Sequence, residues 1–155
     1  LADEDADLRL VVAGADGWGA DELTAAIAAS PHRHRIVRLV WVDDGDRVSL
    51  IRGAAVYAFP SIYEGFGLPP LEAMNAGVPV VATRTGSLPE VCGDGAELVP
   101  VGDPDALAKA LARVLDDEGH RADLVHRGFV NAARYTWESA SEGFAALLRA
   151  VAAGG

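Results

Sequence analysis

Residues 60–90 read PSIYEGFGLPPLEAMNAGVPVVATRTGSLPE, and this stretch outlines one complete structural unit. An apolar run precedes it at residues 54–59, and a second apolar run at residues 78–82 lies inside it. Between the two runs, a glycine-rich loop leads into a short helix whose first turn holds Pro69 and Pro70, where helices tolerate proline. Apolar runs separated by a helix are typical of parallel strands buried on both faces. The stretch therefore predicts a strand–loop–helix–strand unit of a parallel sheet.

Strand and helix signals also alternate along the rest of the chain. Further strands are predicted at residues 8–13, 36–42 and 96–99. Further helices are predicted at residues 21–30, 47–52 (after a turn at 43–46), 88–91, from Pro104 onward, at about 118–134 and at 136–152. This alternation predicts an α/β fold, a Rossmann-like doubly wound parallel sheet covered by helices. We expect a single domain over residues 1–155, with residues 1–7 frayed and residues 136–152 as the C-terminal helix.

The composition narrows the function classes. The chain has 155 residues, of which 23 are acidic and 13 basic, so its formal charge is −10. A negative balance argues against a nucleic-acid partner, which usually requires a basic face. No apolar run approaches the roughly 20 residues that span a bilayer, so we expect no transmembrane segment, and we also expect no signal peptide. The single cysteine, Cys92, fits a reducing compartment, and a cytoplasmic location is expected.

Two loops of the predicted sheet point to a ligand site. The loops at residues 61–68 and 83–90 each leave the carboxyl end of a strand, where ligands of open parallel sheets bind. Gly65 and Gly67 let the backbone approach a ligand closely. The helix that follows Leu68 directs free N–H groups and a partial positive charge at the first loop. An anion, and a phosphate in particular, is the ligand that these features predict.

Two carboxylates flank the predicted anion site, Glu64 before it and Glu72 just inside the helix. Carboxylates do not bind phosphate, but they accept hydrogen bonds from sugar hydroxyls, as an acidic residue does for a ribose in dinucleotide folds. A phosphate with hydroxyl-bearing groups on both sides predicts a nucleotide sugar. Each feature alone also has a structural explanation: a glutamate in a first helical turn complements the helix dipole, and Gly65 and Gly67 are common turn residues.

The text Glu64-Gly-Phe-Gly-Leu-Pro-Pro-Leu-Glu72 resembles the E-x7-E motif of a known family. That family is the retaining glycosyltransferases with the GT-B fold, of the family 4 or group 1 class, and the motif lies in their C-terminal domain. The resemblance covers nearly all of residues 8–152. Further similar text lies at residues 52–61, 73–82, 85–91 and 135–137.

The resemblance implies a role for each residue of the motif. Glu64 would contact hydroxyls of the transferred sugar as the catalytic-site carboxylate, and Glu72 would hold the nucleotide ribose. The donor's sugar and pyrophosphate would be lined by the backbone of Gly65, Phe66, Gly67 and Leu68. The base would lie near Val40, Trp41 and Val42. Members of the family retain anomeric configuration and need no metal or other cofactor, because amides and cations stabilise the pyrophosphate leaving group.

The chain also departs from the family pattern. The family has a glycine near the base where this chain has Val40, and a branched side chain there would narrow the base pocket. The family's phosphate-binding Arg and Lys lie on a first βα unit that this sequence does not contain, and neither does it contain the N-terminal acceptor domain. We therefore expect the chain to be inactive alone and to work with an acceptor domain of the same protein. If that domain binds the membrane, we expect the protein at the inner face of the membrane.

The missing first strand has a structural consequence. In the family's strand order, the missing strand would lie between residues 8–13 and residues 54–59. Neither of these two runs carries a lysine or an inward charge that would protect a strand edge. We therefore expect either an oligomer formed through these open edges or a longer chain whose remainder fills the gap.

Other functions remain open. A GT-B-like nucleotide-sugar epimerase shares the scaffold, although the E-x7-E text argues against it. A non-catalytic nucleotide-binding module would suit the absent Arg and Lys. The text Asp44-Gly-Asp46 has the D-x-D spacing of metal-dependent transferases, but turn chemistry explains it and no metal is expected. His120 and His126 are expected to face solvent on a polar helix.

Overall fold

The computed structural model describes residues 7–17 and 19–153. The frayed segment expected at residues 1–7 lies, except for Asp7, outside the described residues. The chain divides into two compact units, residues 1–50 and residues 51–155. All strand pairs in both units are parallel, and helices connect the strands, so the predicted α/β class is confirmed.

The first unit contains two parallel strands. Strand β1 (Leu10–Ala13) pairs with β2 (Ile36–Leu39). Helix α1 (Ala20–Ala29) lies between them in sequence, because parallel strands need a crossover connection. A 3₁₀ turn at Arg33–Arg35 precedes β2, and the boundary between the units falls within α2 (Asp44–Arg52).

The strand predicted at residues 36–42 is wrong at its carboxyl end, because β2 stops at Leu39. Its neighbour β1 ends at Ala13, and the Gly14 amide donates one further hydrogen bond to the Leu39 carbonyl, at 2.9 Å. Residues 40–42 have no strand residue of β1 opposite them. Because a strand is held by hydrogen bonds to its neighbour, residues 40–42 leave the sheet where β1 has ended.

The turn predicted at residues 43–46 is in fact the first turn of α2. The Asp43 carboxylate accepts a hydrogen bond from the Asp46 amide at 2.8 Å, as a helix N-cap does. This cap lets the helix begin at Asp44, three residues before the predicted start. The Asp and Gly residues that signalled a turn therefore serve the start of a helix.

The second unit contains a three-stranded parallel sheet in the order β3-β4-β5. Its strands are β3 (Tyr57–Phe59), β4 (Val80–Thr83) and β5 (Ala96–Val99). Its helices are α3 (Leu68–Asn75), α4 (Leu88–Cys92), α5 (Pro104–Asp116), α6 (Glu118–Ala132) and α7 (Trp137–Ala153). Because β4 lies in the middle, the loops that follow β3 and β4 leave neighbouring strands.

The strand predicted at residues 54–59 forms only over its last three residues. The Tyr57 amide donates to the Pro79 carbonyl at 2.9 Å, and Tyr57 lies opposite Val80, the first residue of β4. Residues 54–56 precede the start of β4 and have no partner in its ladder. The Ala54 amide instead bonds to the end of α2, at 3.0 Å.

The core of the second unit lies on both faces of β4. Val80 and Ala82 belong to one buried cluster and Val81 to another, as the alternation of side chains along a strand requires. The first cluster includes residues of α3 and α4, namely Leu71, Met74, Leu88 and Val91. The second includes residues of α5 and α6, namely Ala110, Val114 and Leu124. Helices therefore cover both faces of the sheet, as the doubly wound fold predicts.

Helix α6 is less exposed than its polar sequence predicts. The expectation that His120 faces solvent is wrong: its Nε2 lies 2.7 Å from Glu97 Oε2 on β5, and only 13% of the side chain is exposed. Arg113 Nη1 approaches the other oxygen of Glu97 at 3.7 Å. His126 is exposed, as predicted. Since α6 packs back against β5, a histidine near its start reaches a strand residue far away in the sequence.

Helix α7 confirms the predicted C-terminal helix, but it contributes no buried residue. Its apolar side chains are exposed by more than half, at Phe144, Leu147, Leu148 and Val151. No helix of the described residues has the length and apolar character needed to cross a membrane.

Candidate functional site

The two loops predicted to form a site lie at the same edge of the three-stranded sheet. Residues 60–67 connect β3 to α3, and residues 84–87 connect β4 to α4. The two strands are parallel neighbours, with Phe59 opposite Ala82, so both loops begin at carboxyl ends. Ligands of open α/β sheets bind in this place. The predicted common rim is therefore confirmed within the second unit.

Hydroxyl groups of the second loop hold the start of the first. Thr83, the last residue of β4, is buried, and its Oγ1 donates to the Ser61 carbonyl. Thr85 Oγ1 donates to the Ile62 carbonyl at 2.7 Å. These bonds satisfy two successive carbonyls of a loop that makes no strand or helix of its own.

Ser87 and Gly86 continue this contact to the end of the first loop. Ser87 Oγ reaches the Phe66 carbonyl, and the Ser87 amide donates to the Glu64 carbonyl at 3.3 Å. Gly86 has a φ of +50°, and a Cβ built there would lie 2.3 Å from the same Glu64 carbonyl. Any side chain at Gly86 would displace the Glu64 backbone. We call Thr83, Thr85 and Ser87 the hydroxyl row.

The Glu64 side chain is also held in place. Ser61 Oγ donates to Glu64 Oε1 at 2.7 Å, across the turn of the loop. The carboxylate is half-buried. Within the described residues, its second oxygen, Oε2, accepts no hydrogen bond from the protein. The arrangement orders the carboxylate and leaves one oxygen for a hydrogen-bond donor from outside the chain.

Glu72 lies farther into α3 than the sequence suggests. The helix begins at Leu68, before the two prolines, so Glu72 is its fifth residue and the first turn contains no acidic residue. A helix dipole acts mainly on charges in the first turn. The dipole explanation for Glu72 is therefore weakened. Its side chain is half-buried and has a contact within the described chain.

The N-terminus of α3 is shaped by Gly67. This residue is buried, has a φ of +111°, and a Cβ there would lie 2.7 Å from Leu88 Cδ2. No side chain of the described residues caps the helix. By contrast, a Cβ at Gly65 would meet no atom within 4 Å, so the space beside Gly65 is open. Gly67 thus serves the protein's own packing, whereas Gly65 leaves room for a ligand.

Several aromatic and apolar side chains of the first loop and the start of α3 are exposed. The Phe66 ring packs edge-on against Tyr135, with ring centroids 6.0 Å apart. Phe66 and Leu68 are 47% and 61% exposed, and Ile62 and Tyr63 are more exposed still. Residues 62–68 therefore expose mainly apolar side chains.

The predicted base-site residues belong to the first unit. Val40, Trp41 and Val42 follow the carboxyl end of β2, and Val40 and Trp41 are 48% and 79% exposed. Their surfaces are open to a ligand, and their role in base binding stays a prediction.

The motifs that could suggest a metal or a nucleophile have structural explanations. No three His, Cys, Asp or Glu side chains of the described residues come close enough to hold a metal ion together. Asp44 lies 3.5 Å from Arg47 in α2, and the Asp46 amide binds the Asp43 cap. Burial raises the pKa of the Cys92 thiol to about 11, so it stays protonated at neutral pH and acts as a packing residue.

Sequence reasoning missed Ser61 and the hydroxyl row. A signal was present, since four serine and threonine residues lie in the two loops predicted to share a rim. Their partners could not be assigned, because the bonds between the loops join residues 21 to 23 positions apart.

Comparison with known protein families places this chain among transferases. The family described as "Glycosyl transferases group 1" matches residues 1–130. O-antigen chain mannosyltransferase B of Escherichia coli is 38% identical over 130 residues, 84% of this chain and 34% of that protein. MMP alpha-(1->4)-mannosyltransferase of Mycolicibacterium hassiacum is 37% identical over 141 residues, 88% of this chain and 34% of that protein. The chain spans about a third of the length of these curated relatives.

Solved structures give the same answer for the fold. Sucrose-phosphate synthase from Thermosynechococcus elongatus has a TM-score of 0.79 at 27% identity, covering 95% of this chain and 39% of that one. The C-terminal domain of a group 1 family glycosyl transferase from Francisella tularensis has a TM-score of 0.74 at 26% identity, with coverages of 85% and 71%. HepE from Anabaena, solved with UDP and glucose, has a TM-score of 0.83 at 22% identity, with coverages of 96% and 42%, and shows a shared fold.

Proposed function

The chain belongs to the group 1 glycosyl transferases, and from this premise we propose that it is the donor-binding part of a retaining glycosyltransferase. The whole protein would transfer a sugar from a nucleotide diphosphate sugar to an acceptor hydroxyl. Since the chain spans 34% of each of two relatives, an N-terminal acceptor domain of the same protein belongs to the proposal. The cytoplasmic location expected from the composition is part of it as well.

The observation that carries this proposal is the ordered Glu64 carboxylate beside an open loop. One of its oxygens is bound by Ser61, and the other is available to a sugar hydroxyl. Backbone amides at the uncapped start of α3 lie in the same loop and favour a phosphate. A carboxylate that accepts a hydrogen bond from a sugar hydroxyl lies in the same loop as amides that bind a phosphate. Together they match the sugar and the phosphate of a sugar phosphate.

The remaining donor contacts are proposed from the resemblance to the family. Gly65, Phe66, Gly67 and Leu68 line the sugar and pyrophosphate, and Glu72 binds the ribose. Val40, Trp41 and Val42 of the first unit stay the residues proposed to contact the base. No metal ion is proposed. The pyrophosphate leaving group is stabilised by amides of this chain and by cations of the longer protein.

The names of the relatives indicate which donor to test first. Two of the matched proteins described above are mannosyltransferases, and HepE was solved with UDP and glucose. We therefore propose a hexosyl donor, with nucleotide diphosphate mannose as the first candidate and nucleotide diphosphate glucose as the second.

The test uses the full-length protein with uridine, guanosine and adenosine diphosphate sugars. Glu64→Ala should lower transfer by about 10- to 150-fold or more, because losing a charged acceptor of a hydroxyl costs about 1.5–3 kcal/mol or more in the transition state. Glu142→Ala, which removes an exposed carboxylate on α7, is the matched control and should keep normal turnover. Near-normal transfer by Glu64→Ala would refute the assignment.

The same assay separates the alternatives. A protein that binds the nucleotide but transfers no sugar to any acceptor would be a non-catalytic binding module. A protein that converts one nucleotide sugar into another without an acceptor would be an epimerase.

A further inference from the structure

We propose that Ser61 is a positioning residue that presets the Glu64 carboxylate for the donor sugar. The inference rests on the proposed function, because it deepens the role of Glu64 in that site. Ser61 Oγ donates to Oε1 at 2.7 Å, and among the described residues Oε2 accepts no hydrogen bond and stays available to a sugar hydroxyl. Ser61 itself touches no substrate in this scheme.

Ser61 can act in this way because the sheet anchors it. Its carbonyl accepts a hydrogen bond from Thr83, which is buried and lies opposite Val99 at the end of β4. β4 is the central strand, and all four of its residues are buried. The central strand thus fixes the Ser61 backbone through Thr83, and the Ser61 hydroxyl in turn fixes the Glu64 side chain.

The Glu64 backbone is fixed independently of its side chain. Its carbonyl accepts from the Ser87 amide at 3.3 Å and packs on Gly86. With the main chain held there and Oε1 held by Ser61, the carboxylate keeps one rotamer before the donor arrives. Preset geometry lowers the entropic cost of reaching the reactive arrangement, which is how supporting residues contribute to catalysis.

The bonding pattern separates positioning from loop folding. Thr83, Thr85 and Ser87 bind backbone carbonyls, and Thr83 binds the Ser61 carbonyl, which any residue at position 61 retains. Among the described residues, the Ser61 hydroxyl binds the Glu64 carboxylate and no other group. Ser61→Ala therefore removes the support of the carboxylate and leaves the bonds of the hydroxyl row in place.

The test compares Ser61→Ala and Ser61→Thr with the control Ser141→Ala in the full-length protein. Ser141 also donates through a hydroxyl, but on the exposed helix α7. We expect Ser61→Ala to lower kcat/KM about tenfold, the size expected for one hydrogen bond to a charged group. Ser61→Thr should retain activity, and thermal unfolding should show that all three variants are folded at the assay temperature.

A binding measurement separates positioning of the carboxylate from a purely structural role of Ser61, because a structural role would not change the contribution of the sugar to binding. For each variant, calorimetry gives the Kd of the nucleotide diphosphate and of the nucleotide sugar, and their ratio reports the contribution of the sugar. Ser61→Ala should reduce this ratio and leave the affinity for the nucleotide diphosphate unchanged. Adding Ser61→Ala to Glu64→Ala should change the ratio no further, because the supported carboxylate is already gone.

The outcomes distinguish this inference from the proposed function. If Glu64→Ala lowers transfer strongly while Ser61→Ala behaves like Ser141→Ala, the positioning role is wrong and the proposed function stands. If Ser61→Ala and Glu64→Ala change the ratio of the two Kd values independently of each other, the positioning role is also wrong. If Glu64→Ala itself has no effect on transfer or on the ratio, the proposed function fails first.

Discussion

Among single residues, Glu72 tests whether the two carboxylates of the site have different tasks. It lies in the second turn of α3, eight positions after Glu64, and is proposed to hold a ribose away from the reacting carbon. Glu72→Gln should raise KM for the donor about tenfold with less effect on kcat, as the loss of uniform binding does. Steady-state kinetics check this. A collapse of kcat at constant KM would instead assign Glu72 a role in the reaction.

Gly65 and Gly67 form a matched pair of the same residue type with different roles. Gly67→Ala places a side chain at a φ of +111° and 2.7 Å from Leu88, so we expect a loss of about 1–3 kcal/mol in the free energy of unfolding. Gly65→Ala meets open space and should leave stability unchanged while weakening donor binding, because its methyl group occupies the ligand's side. Urea unfolding and donor titration of both variants check this. Equal losses of stability would contradict it.

Among the elements, the packing of α6 against α4 depends on Asn131. This side chain is buried and its Nδ2 donates to the Val91 carbonyl at 2.8 Å. Asn131→Ala leaves that carbonyl without its donor, so the free energy of unfolding should fall by about 2 kcal/mol. Asn75→Ala, on the exposed side of α3, is the control. An unchanged urea midpoint for Asn131→Ala would show that α6 is held by its apolar contacts alone.

The start of α6 carries a pH-dependent contribution. The Asp117 carboxylate accepts from the His120 amide at 2.9 Å, and this bond lowers the pKa of Asp117 below its ordinary value of 3.8. A lowered folded-state pKa means that the contribution is present above the ordinary pKa and is lost as the pH falls through the folded-state pKa. Unfolding midpoints should therefore fall more in the protein than in Asp117→Asn when the pH is lowered from 6 to 3. Parallel curves would contradict this cap titration.

For the whole molecule, the terminal strands of the two sheets predict association of the isolated chain. β1 is a terminal strand of its sheet and β3 of the other, and Val11 on β1 is 43% exposed. We expect light scattering to show oligomers of residues 1–155, and Val11→Lys to reduce them, because a lysine protects a strand edge. Leu147→Lys on α7 is the comparison that detects association through the helix instead. A monomeric isolated chain would contradict the edge argument.

Much of the fold is local and therefore readable in the sequence. β5 has the predicted bounds, and α5 begins at Pro104 with Asp103 accepting from the Ala106 amide, because strand composition and cap chemistry act over a few residues. The position of the site at residues 60–90 is equally local, since strand, glycine loop and helix follow one another there.

The tertiary structure was needed wherever a residue depends on a distant partner. β2 and β3 are shorter than predicted because neighbouring strands end or begin the ladder, and His120 is largely buried because α6 packs on Glu97. The support of Glu64 depends on the same kind of contact, through hydroxyls of the next loop and a buried Thr83. Composition and spacing identify which groups a segment offers. Hydrogen bonds between segments depend on distances in space, which only the packing of the sheet and its helices determines.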